Sequence, residues 1–200
     1  MKKVNLNYLP YGLHQVTDSD IAEVIDVIRN KKLTQGQITE EFENSISNKV
    51  NSSYCVTVNS ATSALHLSCL AIGLKKNDIL WTSPNSFVAS ANCGVYCGAK
   101  VDFVDINPLT GLMCIARLRK KLEFAKKIGK LPKVLIPVHL TGSICDMKEI
   151  AKLSKIYKFS VIEDASHAIG ANYHNEPVGN CKFSDLTVFS FHPVKIITTG

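Results

Sequence analysis

Lys195 stands in the run FSFHPVKIITTG (189–200), between Val194 and Ile196, just after the strand-like LTVFS. A charged amine among apolar side chains is costly. The position therefore suits an amine used as nucleophile or base, with a surface lysine as the plainer alternative. Pro193 removes a backbone donor and stiffens the approach to it, and Ser190 precedes both. In VIEDASHAIGA an apolar run ends on Glu163 and Asp164, with His167 three residues on. A carboxylate at a buried strand end needs a partner: a salt bridge, a helix cap, or a cation shared with His167. No third ligand is evident, and no metal site is assigned. In VTVNSATSALHL a strand-like run ends at Val58, and Asn59, Ser60, Ala61, Thr62 and Ser63 open a helix. Small residues, hydroxyls and free N–H groups at a helix N-terminus bind phosphate well, though an ordinary N-cap uses the same residues. In WTSPNSFVASAN, Pro84 and Asn85 make a turn and Phe87 begins a helix, either as a core residue or as a flat surface for a planar ligand. One ligand draws on all four features. Pyridoxal 5′-phosphate needs an amine for a Schiff base, a carboxylate to keep its ring nitrogen protonated, a phosphate cradle and a surface to stack on.

Such groups must be held by a frame. TDSDIAEVIDVIRN reads as a capped helix, with Thr17 as cap, Asp18 and Asp20 at its positive end, and Ile21, Val24, Ile25 and Ile28 at helical spacing. ITEEFENSISNKV carries a second stripe through Ile38, Phe42 and Ile46. Strands are expected at 54–58, 78–82, 101–105, 133–138, 159–164 and 186–191, with helical patterns between most of them. The connection 165–185, rich in Gly, Asn and His, reads as a loop. Alternating strands and helices predict an α/β domain whose mostly parallel sheet is covered by helices on both faces. Ligands then bind beyond the carboxyl ends of the strands, where the four clusters fall.

Composition narrows the classes. With 46% apolar and 20% charged residues, the chain is globular. No apolar run approaches the roughly 18 residues of a membrane span, and MKKVNLNYLPYG lacks the apolar stretch of a signal peptide, so neither membrane nor export is expected and the cytoplasm is. Much of the net charge of +6 lies in ARLRKKLEFAKKIGK. It reads as the solvated face of a helix rather than a nucleic-acid patch, since no aromatic interleaving accompanies it. Seven cysteines at spacings that match no zinc site read as reduced thiols.

The motifs LTQG, NSATSALHL, SPNSFVASAN, VHLTG, IEDASHAIGA and FSFHPVKIITTG together resemble the DegT/DnrJ/EryC1/StrS sugar aminotransferases. The likeness runs through nearly the whole chain. It implies the PLP-dependent transferase fold type I, aspartate aminotransferase-like, with residues 1–200 forming an N-terminal segment plus most of the cofactor-binding large domain. It also implies roles. Lys195 would form the Schiff base and then shuttle a proton; Asp164 would pair with the ring nitrogen; His167 would sit near the phenolic oxygen. Ser60, Ala61, Thr62 and Ser63, helped by Ser190, would hold the phosphate, and Phe87 would stack on the ring. Tyr11 and Lys31, Lys32, Leu33 and Thr34 match positions that touch the sugar nucleotide in related enzymes. Alanine stands at 61 where the family often has glycine. Within the family, NSATSALHL and FSFHPVK look most like the member that aminates carbon 4 of a UDP-linked keto sugar in pseudaminic acid synthesis. The expected reaction is ping-pong, with L-glutamate leaving as 2-oxoglutarate.

Family members run to nearly twice this length. The chain is therefore expected to be C-terminally truncated, without the small domain, inactive alone, and part of a homodimer only at full length. Related dehydratases carry histidine where Lys195 stands, which argues against that activity. Amination at carbon 3, or of another nucleotide sugar, stays open, as does a non-catalytic protein. A nicotinamide oxidoreductase fits only YCGAK, without the glycine-rich fingerprint after the first strand.

Overall fold

The computed structural model describes residue 12 and residues 14–199. Helix α1 (Asp18–Asn30) starts as its sequence dictates. Thr17 Oγ1 accepts from Asp20 N at 3.3 Å, and Asp20 Oδ2 accepts from Thr17 N at 2.7 Å, a reciprocal capping box. Among the described residues its apolar stripe stays largely uncovered: Ile21, Val24, Ile25 and Ile28 are all exposed. Helix α2 (Gln37–Val50) follows Gly36 and ends at Asn51 in the left-handed conformation. It buries Val50 and leans Phe42 edge-on against Phe191.

The centre is a five-stranded parallel sheet in the order β2-β1-β3-β4-β7. Its members are β1 (Ile79–Thr82), β2 (Lys100–Phe103), β3 (Val134–Ile136), β4 (Ser160–Asp164) and β7 (Leu186–Val188). The helices α3 (Ala61–Ala71), α4 (Ala89–Tyr96), α5 (Ile115–Lys127) and α6 (Met147–Tyr157) cover it. The two-residue period of a strand divides its apolar residues between the faces. Leu80, Val134, Ile136, Ile162 and Val188 pack under α3 and α4 with Leu65, Cys69 and Cys93. Trp81, Leu135 and Val161 pack under α5 and α6 with Leu118, Leu122, Ile150 and Leu153. Both faces being dry explains why these strands read as unbroken apolar runs. Each fully buried Leu or Ile contributes about 1.5–3 kcal/mol. Gly94 lets α4 lie close on the sheet, since a Cβ there would meet Val101 at 3.0 Å and Leu80 at 3.2 Å.

Two expectations fail locally. Residues 54–58 form no strand; Tyr54 and Val56 are exposed. A strand exists by pairing, and no described strand lies beside this one. Thr57 instead turns its N–H and hydroxyl to Glu43 Oε1, at 2.6 and 2.8 Å. The 165–185 connection is not all loop. It contains an antiparallel hairpin of β5 (Asn172–Tyr173) and β6 (Glu176–Pro177). His174 and Asn175 both have positive φ, 50° and 63°, as a two-residue hairpin turn requires. The basic stretch is the outer face of α5, where Arg119 pairs with Glu149 and Lys121 with Asp102.

Candidate active site

Parallel strands carry their carboxyl ends to one edge of the sheet, and the chemistry-bearing residues gather there. β4 ends on Asp164 in register with Val188, the last residue of β7. The chain beyond β7 then turns sharply. Lys195 N donates to His192 O at 2.8 Å, closing a four-residue turn with Pro193 in its second position, where a fixed φ fits. Thr199 N and Thr198 Oγ1 both donate to Phe191 O, at 3.1 and 3.2 Å. Three contacts hold this segment against the domain. The Phe191 ring meets Phe42 of α2 at 5.1 Å between centroids. Gly12 lies against Val194, where a Cβ would fall 3.0 Å from the Val194 Cα. Phe189 covers Gly179, whose φ is +102° and where a Cβ would come within 2.6 Å of the ring.

The turn delivers Lys195 Nζ to 2.7 Å from His167 Nε2, with both residues half-buried. Thr141 N donates to the other ring nitrogen, His167 Nδ1, at 3.2 Å. Burial lowers the pKa of Lys195, and the Asp164 carboxylate opposes that shift. His167 is lowered too, first by burial and then by Lys195, with Asp164 again opposing.

Asp164 is 5% exposed. Its Oδ2 accepts from Ser90 Oγ at 2.6 Å, and its Oδ1 accepts from Ser166 Oγ at 2.7 Å and Ser166 N at 3.2 Å. Ser86 Oγ lies 3.1 Å from Ser90 Oγ and can relay a second hydroxyl. Among the described residues the partners of Asp164 are hydroxyls and the Ser166 N–H, not a salt bridge or a helix cap. Glu163, which faces the opposite side of β4, pairs with the buried His139 Nε2 at 2.8 Å and accepts from Ser184 and Thr187.

Phe87 is 73% exposed and so is not a core residue. It stands one turn before Ser90, whose hydroxyl also reaches Phe87 O at 3.4 Å, so one short segment carries both the aromatic face and the carboxylate's donor. Ser60 caps α3, its Oγ accepting from Ser63 N at 3.2 Å. Ala61, Thr62 and Ser63 form the first turn of α3, which packs against β4 and β7. Ser190 is buried, with its Oγ accepting from His192 N at 3.4 Å.

The segment Lys31–Thr34 is exposed and is not tied to this centre by the hydrogen bonds of the described residues; Lys31 pairs with Asp26 at 3.3 Å. Tyr11 lies outside the described residues. Sequence reasoning missed Ser90, Ser166 and Thr141. The signal for Thr141 was the strand-end rule itself, since HLTG follows β3 just as ASHA follows β4.

Residues 14–200 match the DegT/DnrJ/EryC1/StrS aminotransferase family. The chain is 39% identical over 194 residues to a UDP-4-amino-4,6-dideoxy-N-acetyl-beta-L-altrosamine transaminase of Campylobacter jejuni, covering 96% of this chain and 49% of that protein. It is 34% identical to a UDP-4-amino-4-deoxy-L-arabinose–oxoglutarate aminotransferase of Shewanella sediminis, covering 96% and 47%. Among solved structures it superposes on the PLP form of the sugar aminotransferase Spr1654 of Streptococcus pneumoniae. That match has a TM-score of 0.83 and 28% identity, and covers 95% of this chain and 50% of the other. The chain thus spans about half the length of the relatives it matches.

Proposed function

Because the chain belongs to the DegT/DnrJ/EryC1/StrS aminotransferase family, we propose that its site binds pyridoxal 5′-phosphate and serves a sugar-nucleotide aminotransferase. The observation that carries this reading is Lys195 Nζ, 2.7 Å from His167 at the sheet edge where the buried Asp164 ends β4. The donor set fits the cofactor: a half-buried amine of lowered pKa, a carboxylate held by hydroxyls, an exposed aromatic face and a helix N-terminus. The solved PLP and PMP forms of Spr1654, which share this fold, support it.

When bound, pyridoxal phosphate supplies an aldehyde that amines attack and a protonated ring that draws electrons from the reacting carbon. The chain's own residues do the rest. Lys195 Nζ would provide the covalent attachment and would move the proton at the substrate carbon, a task its lowered pKa suits. Asp164 would keep the proton on the ring nitrogen, and Ser90 and Ser166 hold its two oxygens in one orientation. Phe87 offers its free face for stacking. Ala61 and Thr62 would offer backbone N–H groups to the phosphate, and Thr62 and Ser63 their hydroxyls, with Ser60 and Ser190 assisting. His167 would hold the phenolic oxygen.

The amino donor we assign is L-glutamate. The acceptor is a UDP-linked 4-keto-6-deoxy-N-acetylhexosamine, aminated at carbon 4 as in the pseudaminic acid route, and we assign Tyr11 and Lys31–Thr34 to binding the sugar nucleotide. The 39% identity to the Campylobacter transaminase supports this choice, while the Shewanella relative's name points to a different UDP sugar. We assign the chain to an N-terminal segment plus most of the cofactor-binding large domain, and a homodimer and cytoplasmic residence to the whole protein. Among the described residues no helix is long and apolar enough to cross a membrane. Borohydride reduction in the presence of pyridoxal phosphate, followed by peptide mapping, tests the reading. The adduct is expected on Lys195 and is expected to vanish in Lys195→Ala; an adduct elsewhere, or none, overturns it.

A further inference from the structure

We infer that the backbone N–H of Thr141 locks the His167 imidazole as its Nε2–H tautomer. That ring in turn holds the Lys195 amine as an uncharged free base before any cofactor arrives. Thr141 is then a positioning residue for the nucleophile. The inference rests on the aminotransferase reading for its purpose, and on hydrogen-bond geometry for its content.

The geometry leaves one arrangement. Thr141 N donates to His167 Nδ1 at 3.2 Å, so Nδ1 presents a lone pair and no proton. A neutral imidazole carries one N–H, which must then be on Nε2. That N–H points at Lys195 Nζ, 2.7 Å away. It can be accepted only by a lone pair on nitrogen, and an ammonium has none. A charged Lys195 would need a bare Nε2 beside an already bare Nδ1, which is an imidazolate. A charged His167 would put a proton on Nδ1 against the Thr141 N–H. Burial lowers both pKa values, as this arrangement requires, and Asp164 at the end of β4 opposes both.

The backbone at Thr141 is an independent observation. This β-branched residue has φ 57° and ψ 18°, a left-handed conformation that such residues rarely adopt. Asn51 and Lys158 share that conformation as helix C-caps. Thr141 caps no α-helix. Its strain is held by its own hydroxyl, which donates to Leu140 O at 2.7 Å, and by Gly142 N donating to His139 O at 3.2 Å. His139 is itself fixed to β4, through its N–H to Asp164 O at 3.0 Å and its ring to Glu163. Gly142 meets His167 from another side, since a Cβ there would lie 3.0 Å from His167 O. The loop after β3 is thus folded onto His167 at two points. Strain of this kind clusters where it serves a site.

Nitrogen-15 NMR of the cofactor-free protein, with the His167 signals assigned through His167→Gln, reads the tautomer directly. Nδ1 is expected bare and Nε2 protonated at neutral pH; a protonated Nδ1 overturns the inference. Competitive labelling with acetic anhydride, read by mass spectrometry, then reports the free-base fraction of Lys195 against an exposed lysine such as Lys127. Thr141→Gly keeps the N–H and relaxes the strain, so tautomer and labelling are expected to persist. Replacing the Leu140–Thr141 amide with an ester removes only the N–H. Its expected effect is a shift toward the other tautomer and about tenfold slower labelling of Lys195 near neutral pH, the size of one pKa unit. Unchanged labelling in the ester protein also overturns the inference. Failure of borohydride trapping with these results intact would sink the functional reading alone.

Discussion

Ser90 Oγ sits 2.6 Å from Asp164 Oδ2, tying the first turn of α4 to the last residue of β4. The two residues are 74 positions apart in the chain, and both are almost wholly buried. Ser90→Ala leaves one carboxylate oxygen dry and without its donor, a loss of about 1–3 kcal/mol. Urea unfolding should show it, and Ser90→Thr should restore most of it. The alanine variant should also bind pyridoxal phosphate more weakly, because the carboxylate loses one of its two fixed oxygens. An unchanged unfolding midpoint would mean that Asp164 is satisfied without the hydroxyl.

Phe87 separates binding from stability. At 73% exposed it contributes little to the core. Phe87→Ala should therefore unfold within about 0.5 kcal/mol of the parent protein. Stacking is worth about 0.5–1.5 kcal/mol beyond area, so cofactor affinity should fall by up to about tenfold. Fluorescence titration with pyridoxal phosphate measures the second quantity. A variant that is destabilised but binds normally would return Phe87 to the role of a packing residue.

Glu163 and Asp164 are neighbours in sequence with opposite duties, because alternate residues of a strand face opposite sides of the sheet. Glu163 serves stability: it pairs with the buried His139 and takes the Ser184 and Thr187 hydroxyls. Glu163→Ala strands three polar partners, and breaking a buried pair typically costs about 3–5 kcal/mol. The thermal midpoint should drop sharply, whereas Asp164→Asn should chiefly weaken the cofactor's hold. Equal loss of stability in both variants would contradict this division.

Much of this division was legible. The apolar runs of β1, β3 and β4 announce strands buried on both faces, and Thr17 with Asp20 announces the start of α1. Lys195, Asp164, His167 and Phe87 stood out because unusual side chains followed strand ends. Other features left no such mark. Ser90 is a serine among many serines, distinguished only by the partner that folding brings to it. Thr141 shares the strand-end position but acts through a backbone N–H, which every residue but proline possesses. The stretch 54–58 has the composition of a strand, but composition cannot supply a neighbour to pair with. The hairpin at 172–177 turns on His-Asn rather than the usual Asn-Gly, and its strands are only two residues long.

The acid side of the stability profile should report His167. Its folded pKa lies below the ordinary value of about 6.5. The unfolded chain therefore takes up this proton more readily than the folded one, and falling pH favours unfolding. The contribution is fully present above about pH 6.5 and is lost as pH falls toward the lowered folded value. His167→Gln cannot titrate, but it can still accept from Thr141 N and donate to Lys195. Urea midpoints compared between about pH 5 and pH 8 should run parallel at the upper end, with the parent protein falling away faster below pH 6.5. All other titrating groups are common to both proteins, so the difference isolates this ring. Lys195→Met removes an amine whose charge, once it is protonated as the pH falls, helps lower His167, and so should narrow the gap. Parallel curves across the whole range would show that His167 titrates as freely in the fold as out of it, and that neither burial nor Lys195 acts on it.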